Sequence, residues 1–112
     1  MNDDDNTLVS QLSALAQSTR LRAFKTLIRS GADGMAAGQL ASSLDVAPNT
    51  LSAHLNILQR SGLIRHRRDG RSVIYSVEIE EVSSMIEALA ADCCAGYPDA
   101  AAAEALAKPL AC

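Results

Sequence analysis

The chain has 112 residues, 48% of them apolar but only 3% aromatic, and its 10 Lys and Arg against 13 Asp and Glu give a formal net charge of −3. That length suits one domain with one core of Leu, Ile, Val and Ala, and so small a core gains from being shared with a second copy. No apolar run reaches the length of a membrane span, no basic-then-apolar leader is present, and three cysteines, two of them adjacent, make no disulfide framework.

In chain order, residues 1–6 (MNDDDN) read as a flexible acidic tail, and residues 7–92 as one domain. Leu8, Leu12 and Leu15 fall on one face of a first helix, with Val9 and Ala16 alongside. Ser18 or Thr19 can cap a second helix, with Leu21, Phe24, Leu27 and Ile28 inward and Arg22, Lys25 and Arg29 in water. Ser30 to Gly34 (SGADG) stops it. A short helix over 37–44 and a turn at Asp45-Val46-Ala47 lead to Pro48, which suits the first position of a helix because its missing N–H would be unpaired there anyway. In that next helix Leu51, Leu55 and Leu58 make the buried stripe. At about 100° per residue the opposite face carries Asn49, Ala53, Asn56 and Arg60, with Ser52 at its edge. Ser61-Gly62 ends it. Residues 63–68 and 71–77 then flank Asp69-Gly70, which predicts a hairpin with a type I′ turn. A last helix, from Glu80 to about Asp92, buries Val82, Met85, Ile86 and Leu89. Residues 93–112 form a C-terminal tail, with an alanine-rich helical segment over 100–107.

Two short helices joined by a tight turn, then a charged hairpin, make a winged helix-turn-helix: mainly α with a two-stranded wing. The positive charge is concentrated there. Arg60, Arg65, Arg67, Arg68 and Arg71 face a single acid, Asp69, in a chain that is otherwise acidic. A helix fits the major groove of duplex DNA, so Asn49, Thr50, Ser52 and Asn56 are candidates to meet base edges. Arg67, Arg68 and Arg71 are candidates for phosphate or the minor groove. His54 lies beside the apolar stripe and reads first as a packing or positioning residue, with a base contact as the lesser alternative. Few aromatics argue against single-stranded nucleic acid, which is gripped by stacking. A charged hairpin alone is more often a solvated face, so the order of elements carries this reading.

The segments PNTLSAHLNILQRSGLI (48–64) and RHRRDGRSVIYSV (65–77) resemble the ArsR-type winged-helix repressors, whose motif x-S-x-H-L-x-x-L-x-x-x-G-L-[IV] precedes a wing ending G-[RK]-x-x-x-Y. Ser52, His54, Leu55, Leu58, Gly62, Leu63, Gly70, Arg71 and Tyr75 occupy those positions. ALAQSTRLRAFKTL (14–27) is similar to that family's opening, where two helices meet through a [DSN]-x-x-R turn. The resemblance spans about residues 8–92. It implies a homodimer packed through its first and last helices, bound to inverted-repeat operator DNA and released by an inducer.

Two inducer sites common in that family have no counterpart. The positions of a Cys-x-Cys pair correspond to about Ala36 and Gly38, and the last helix has no histidine. DCCAGYP (92–98) instead resembles the arsenic-responsive members with adjacent cysteines, and implies Cys93 and Cys94 as ligands of trivalent arsenic; Ala100 stands where some carry a third cysteine. Cys112 is the remaining candidate for a third thiolate, or an organic substituent on the arsenic takes that place. Soft thiolates select thiophilic ions and must lose a proton to ligate. The plainer alternative is that these cysteines are small buried hydrophobes and Cys112 an idle terminal thiol. No permanent cofactor is expected. Other readings are a redox or reactive-sulfur sensor using the same thiols, or a winged-helix protein-interaction module. Enzyme chemistry is not expected, since no acid–base pair, phosphate loop or Cys-x-x-Cys is present. The expected setting is the cytoplasm, with thiols reduced.

Overall fold

The computed structural model describes the backbone of residues 3–96 and the side chains of residues 5–91. Five α-helices and a small antiparallel sheet follow the expected order. Helix α1 spans Asp3–Leu15, so most of the expected acidic tail is helical. The physical reason is local: aspartates in a first turn lie at the positive end of the helix dipole.

Helix α2, Ser18–Ser30, is capped by neither Ser18 nor Thr19. Gln17 precedes it in an extended conformation, and its side chain accepts from the Arg20 N–H. Ala23, Phe24 and Leu27 are buried, whereas Leu21 and Ile28, expected inside, are exposed. Their angular positions flank the buried stripe, and none of the described residues buries that side. Gly31 and Gly34 then turn the chain through a short 3-10 segment, both at positive φ.

A two-residue strand, β1 (Met35–Ala36), leads into helix α3 (Ala37–Leu44). Asp45 closes α3 in the left-handed conformation. The N–H groups of Asp45 and Val46 return to the Ser42 and Ala41 carbonyls, a Schellman-type ending. Arg22 adds a bond from Nη2 to the Leu44 carbonyl at 2.9 Å, tying α2 to the turn. Helix α4 runs Pro48–Arg60 with proline in its first turn, as expected. Leu51, Leu55 and Leu58 are buried against Leu27, Leu40, Leu44 and Phe24 in one continuous core.

The wing consists of β2 (Ile64–Asp69) and β3 (Ser72–Val77). The sheet order is β1-β3-β2, so β1 adds a third strand to the expected pair. Asp69 pairs with Ser72, which makes Gly70-Arg71 the two-residue loop. Positive φ occurs at Gly70 but not at Asp69 or Arg71. That is the type II′ pattern, with glycine first in the loop, and replaces the type I′ turn expected at Asp69-Gly70.

Helix α5 spans Ile79–Gly96. It therefore runs past Asp92, and Cys93 and Cys94 belong to its last turn rather than to a segment after it. The helical segment expected over 100–107 and Cys112 lie outside the described residues. Among the described residues, no helix is long and apolar enough to cross a membrane.

Candidate DNA-binding interface

The exposed side of α4 is the centre of the candidate site. Its buried leucines fix the rotation of the helix, and Asn49, Thr50, Ser52, Ala53, Asn56 and Arg60 are left exposed together. Amides and hydroxyls on one such face can meet base edges, and Arg60 at the C-terminal end suits the negative end of the helix dipole. His54 is half-buried beside this face. Its Nδ1 lies 3.3 Å from Arg20 Nη1. A guanidinium only donates, so Nδ1 accepts and the proton of the neutral ring resides on Nε2. This contact is compatible with a positioning role for His54.

The wing arginines divide into two kinds. Arg65 pairs with Glu78 at 3.2 Å, and Arg67 donates from Nη2 to the Asp33 carbonyl at 3.1 Å. Both are therefore engaged with neighbouring chain. Arg68 and Arg71, beside and within the loop, are exposed and make no side-chain hydrogen bond or ion pair among the described residues. Two guanidiniums at the end of a protruding hairpin are placed to neutralise phosphates.

A hydrogen bond links the wing to α4. His66 Nδ1 donates to Gln59 Oε1 at 2.9 Å, and the His66 ring lies 5.9 Å from that of Tyr75, its cross-strand partner. Ile64 is buried on the same face, so the base of the wing is anchored in the core. Neither Gln59 nor Arg20 stood out as a site residue from spacing. Arg20 lies within the 14–27 segment, but a bond to a residue 34 positions away has no local signal.

Among the described residues no group of His, Cys, Asp and Glu could hold a metal ion. The side chains of Cys93 and Cys94, and all of Cys112, lie outside the described set. Cys93 and Cys94 share one helical turn of α5, far along the chain from the α4 face.

Residues 15–67 match the family model of a helix-turn-helix domain. The chain is 33% identical over 89 residues to the transcriptional activator HlyU of Vibrio cholerae, covering 80% of each. It is 32% identical to the biofilm growth-associated repressor of Agrobacterium fabrum, over 75% of this chain and 69% of the relative. Among solved structures, an ArsR-like transcriptional regulator from a Rhodococcus species superposes with a TM-score of 0.72 at 27% identity, covering 91% of this chain and 93% of that one. The Vibrio cholerae HlyU in its reduced form matches with a TM-score of 0.63 at 27% identity, over 76% of this chain and 90% of that one.

Proposed function

The chain belongs to the ArsR family of winged-helix transcriptional regulators, and from that premise we propose that it is a homodimeric repressor of arsenic-resistance genes, released from inverted-repeat operator DNA by trivalent arsenic. The observation that supports DNA binding best is the joint exposure of Asn49, Thr50, Ser52 and Asn56 on α4 with the unengaged Arg68 and Arg71 on the wing. Polar groups on a groove-sized helix read sequence, while arginines on the wing hold the backbone.

The inducer reading rests on the adjacent Cys93 and Cys94. As thiolates they offer two soft ligands within one turn of α5, and Cys112 is the third donor for inorganic arsenite. A methylated arsenical already fills that third place. Arsenite and a methylated trivalent arsenical, titrated separately into the reduced protein on labelled DNA, test the reading. Release by either, abolished by Cys93→Ser or Cys94→Ser, supports it.

A second reading has its own support, since the relative HlyU is described in a reduced form. In that reading Cys93 or Cys94 pairs oxidatively with Cys112 or with a partner subunit. Peroxide or polysulfide would then release DNA, reversibly with a dithiol, where arsenite would not. The named relatives include an activator and a repressor, so a promoter-reporter assay sets the sign of regulation.

A further inference from the structure

Arg20 stands where three helices meet. It belongs to the first turn of α2, yet its guanidinium serves the helices on either side. Nε donates to the Ala14 carbonyl and Nη2 reaches the Ser13 carbonyl at 3.5 Å, both in the last turn of α1. Nη1 meets His54 Nδ1 of α4 at 3.3 Å. Helix α1 has no basic residue in its own last turn; the Ala14 carbonyl, and the Ser13 carbonyl that also accepts the Ala16 N–H, find a charged donor in Arg20. Arg20 is itself held, because Gln17 Oε1 accepts its backbone N–H at 2.9 Å. Only arginine can do this. Its planar fork spreads donors over three acceptors in fixed directions, whereas lysine has a single nitrogen.

We propose that Arg20 is a positioning residue that fixes α4 relative to α1, and thereby sets the half-site spacing that the dimer accepts on DNA. The inference rests on the proposed function, a dimer on an inverted repeat. Helix α1 carries the exposed Val9 and Leu12 and so offers itself to the partner subunit, while α4 is offered to the groove. The core that Ala14 of α1 shares with Leu51, Leu55 and Leu58 of α4 is apolar and nondirectional, and tolerates small rotations. The hydrogen bonds of Arg20 are directional and do not. Two recognition helices must lie about one turn of DNA, roughly 34 Å, apart, so a small rotation of each α4 changes which spacing fits.

The test uses a two-half-site duplex selected by the unaltered protein from a random library. It is compared with duplexes whose spacer is one base pair longer or shorter, and with one carrying a single half-site. Arg20→Lys keeps the charge and loses the fork. His54→Phe keeps a ring of similar size, removes the acceptor on the α4 side and leaves the α1 carbonyls served. Both variants are first compared with the unaltered protein by thermal unfolding. The expected result is that each variant binds the single half-site within about twofold of the unaltered protein, yet loses roughly tenfold on the selected spacer, so its preference over the altered spacers nearly vanishes. The double variant should do no worse than the poorer single one, since both break one link. An intact spacer preference in folded Arg20→Lys, or losses that simply add, overturns the proposal. Should Arg20→Lys not fold, an unchanged spacer preference in His54→Phe overturns it alone. If the unaltered protein selects no duplex at all, the DNA-binding reading falls together with this one.

Discussion

Arg68 and Arg71 differ from Arg67 in what they touch, and that difference decides how each should behave when removed. Arg68 and Arg71 make no side-chain hydrogen bond or ion pair among the described residues, so a phosphate gained on binding adds a full counterion-release contribution. Replacing either by Ala should weaken binding to all sequences alike and lower the salt dependence by about one unit, read from the slope of log affinity against log salt. Arg67→Ala should lower that slope less, because its guanidinium already bonds the Asp33 carbonyl. Equal changes for all three would show that the Asp33 bond is given up on DNA. Ser52 and Asn56 belong to the opposite class. Their exposed polar groups on α4 predict that Ser52→Ala or Asn56→Ala alters the preferred base at one position, by about 1–3 kcal/mol, while binding to random DNA hardly changes. Parallel losses on selected and random duplexes would exclude a base-reading role.

At the level of elements, the parts with strong local chemistry were legible and the parts made by distant contacts were not. Pro48, the leucine stripe of α4, the Ser61-Gly62 stop and the hairpin around Gly70 each follow from propensity or period within a few residues. Strand β1 had no such signal. Two residues carry no period, and Met35 and Ala36 are extended because Tyr75 and Ile74 pair with them across the sheet. The turn type was missed for a related reason: Asp-Gly fits a I′ loop, but the register Asp69↔Ser72 moves the loop one residue onward. Within the site, the α4 face was readable from helical geometry, whereas the engagement of Arg67 and the partners of His54 and His66 depend on tertiary placement. Gly34, which was read only as a helix stop, has a sharper role. It holds φ +75° beside β3, and a Cβ there would collide with the Tyr75 carbonyl. Gly34→Ala should therefore cost about 1–3 kcal/mol in denaturant unfolding, from backbone strain before any clash is relieved. Gly31→Ala is the control. It shares the positive φ but meets nothing within 4 Å, so it should cost measurably less.

At the scale of the whole molecule, the surface is incomplete along α1 and α5. Val9 is 54% exposed, Leu12 41% and Leu89 43%, on two helices joined by the bond from Gln11 Nε2 to Glu81 Oε2. A second copy covering this face would bury them, so sedimentation at micromolar concentration should give a dimer, and Leu12→Glu a folded monomer with weakened operator binding. Cys93 and Cys94 lie at the far end of the same α5, which links the proposed inducer to the proposed dimer face. Arsenic drawn onto both thiolates would constrain the last turn of α5, and a constraint that disfavours the DNA-bound arrangement lowers operator affinity. Linkage makes the effect reciprocal: operator DNA must weaken arsenic binding by the same factor, and such couplings typically amount to about 1–3 kcal/mol. The two titrations, arsenic into protein with and without saturating duplex, should differ by that factor. Cys93→Ser and Cys94→Ser should bind the duplex normally and show no response. Cys112→Ser separates two forms of the site. Loss of the arsenite response with a methylated trivalent arsenical still effective would identify a three-thiolate centre that two thiolates can partly replace, while full response to both would make Cys112 a bystander. A double variant lacking Cys93 and Cys94 that still leaves DNA on adding arsenic would place the sensing chemistry elsewhere in the chain.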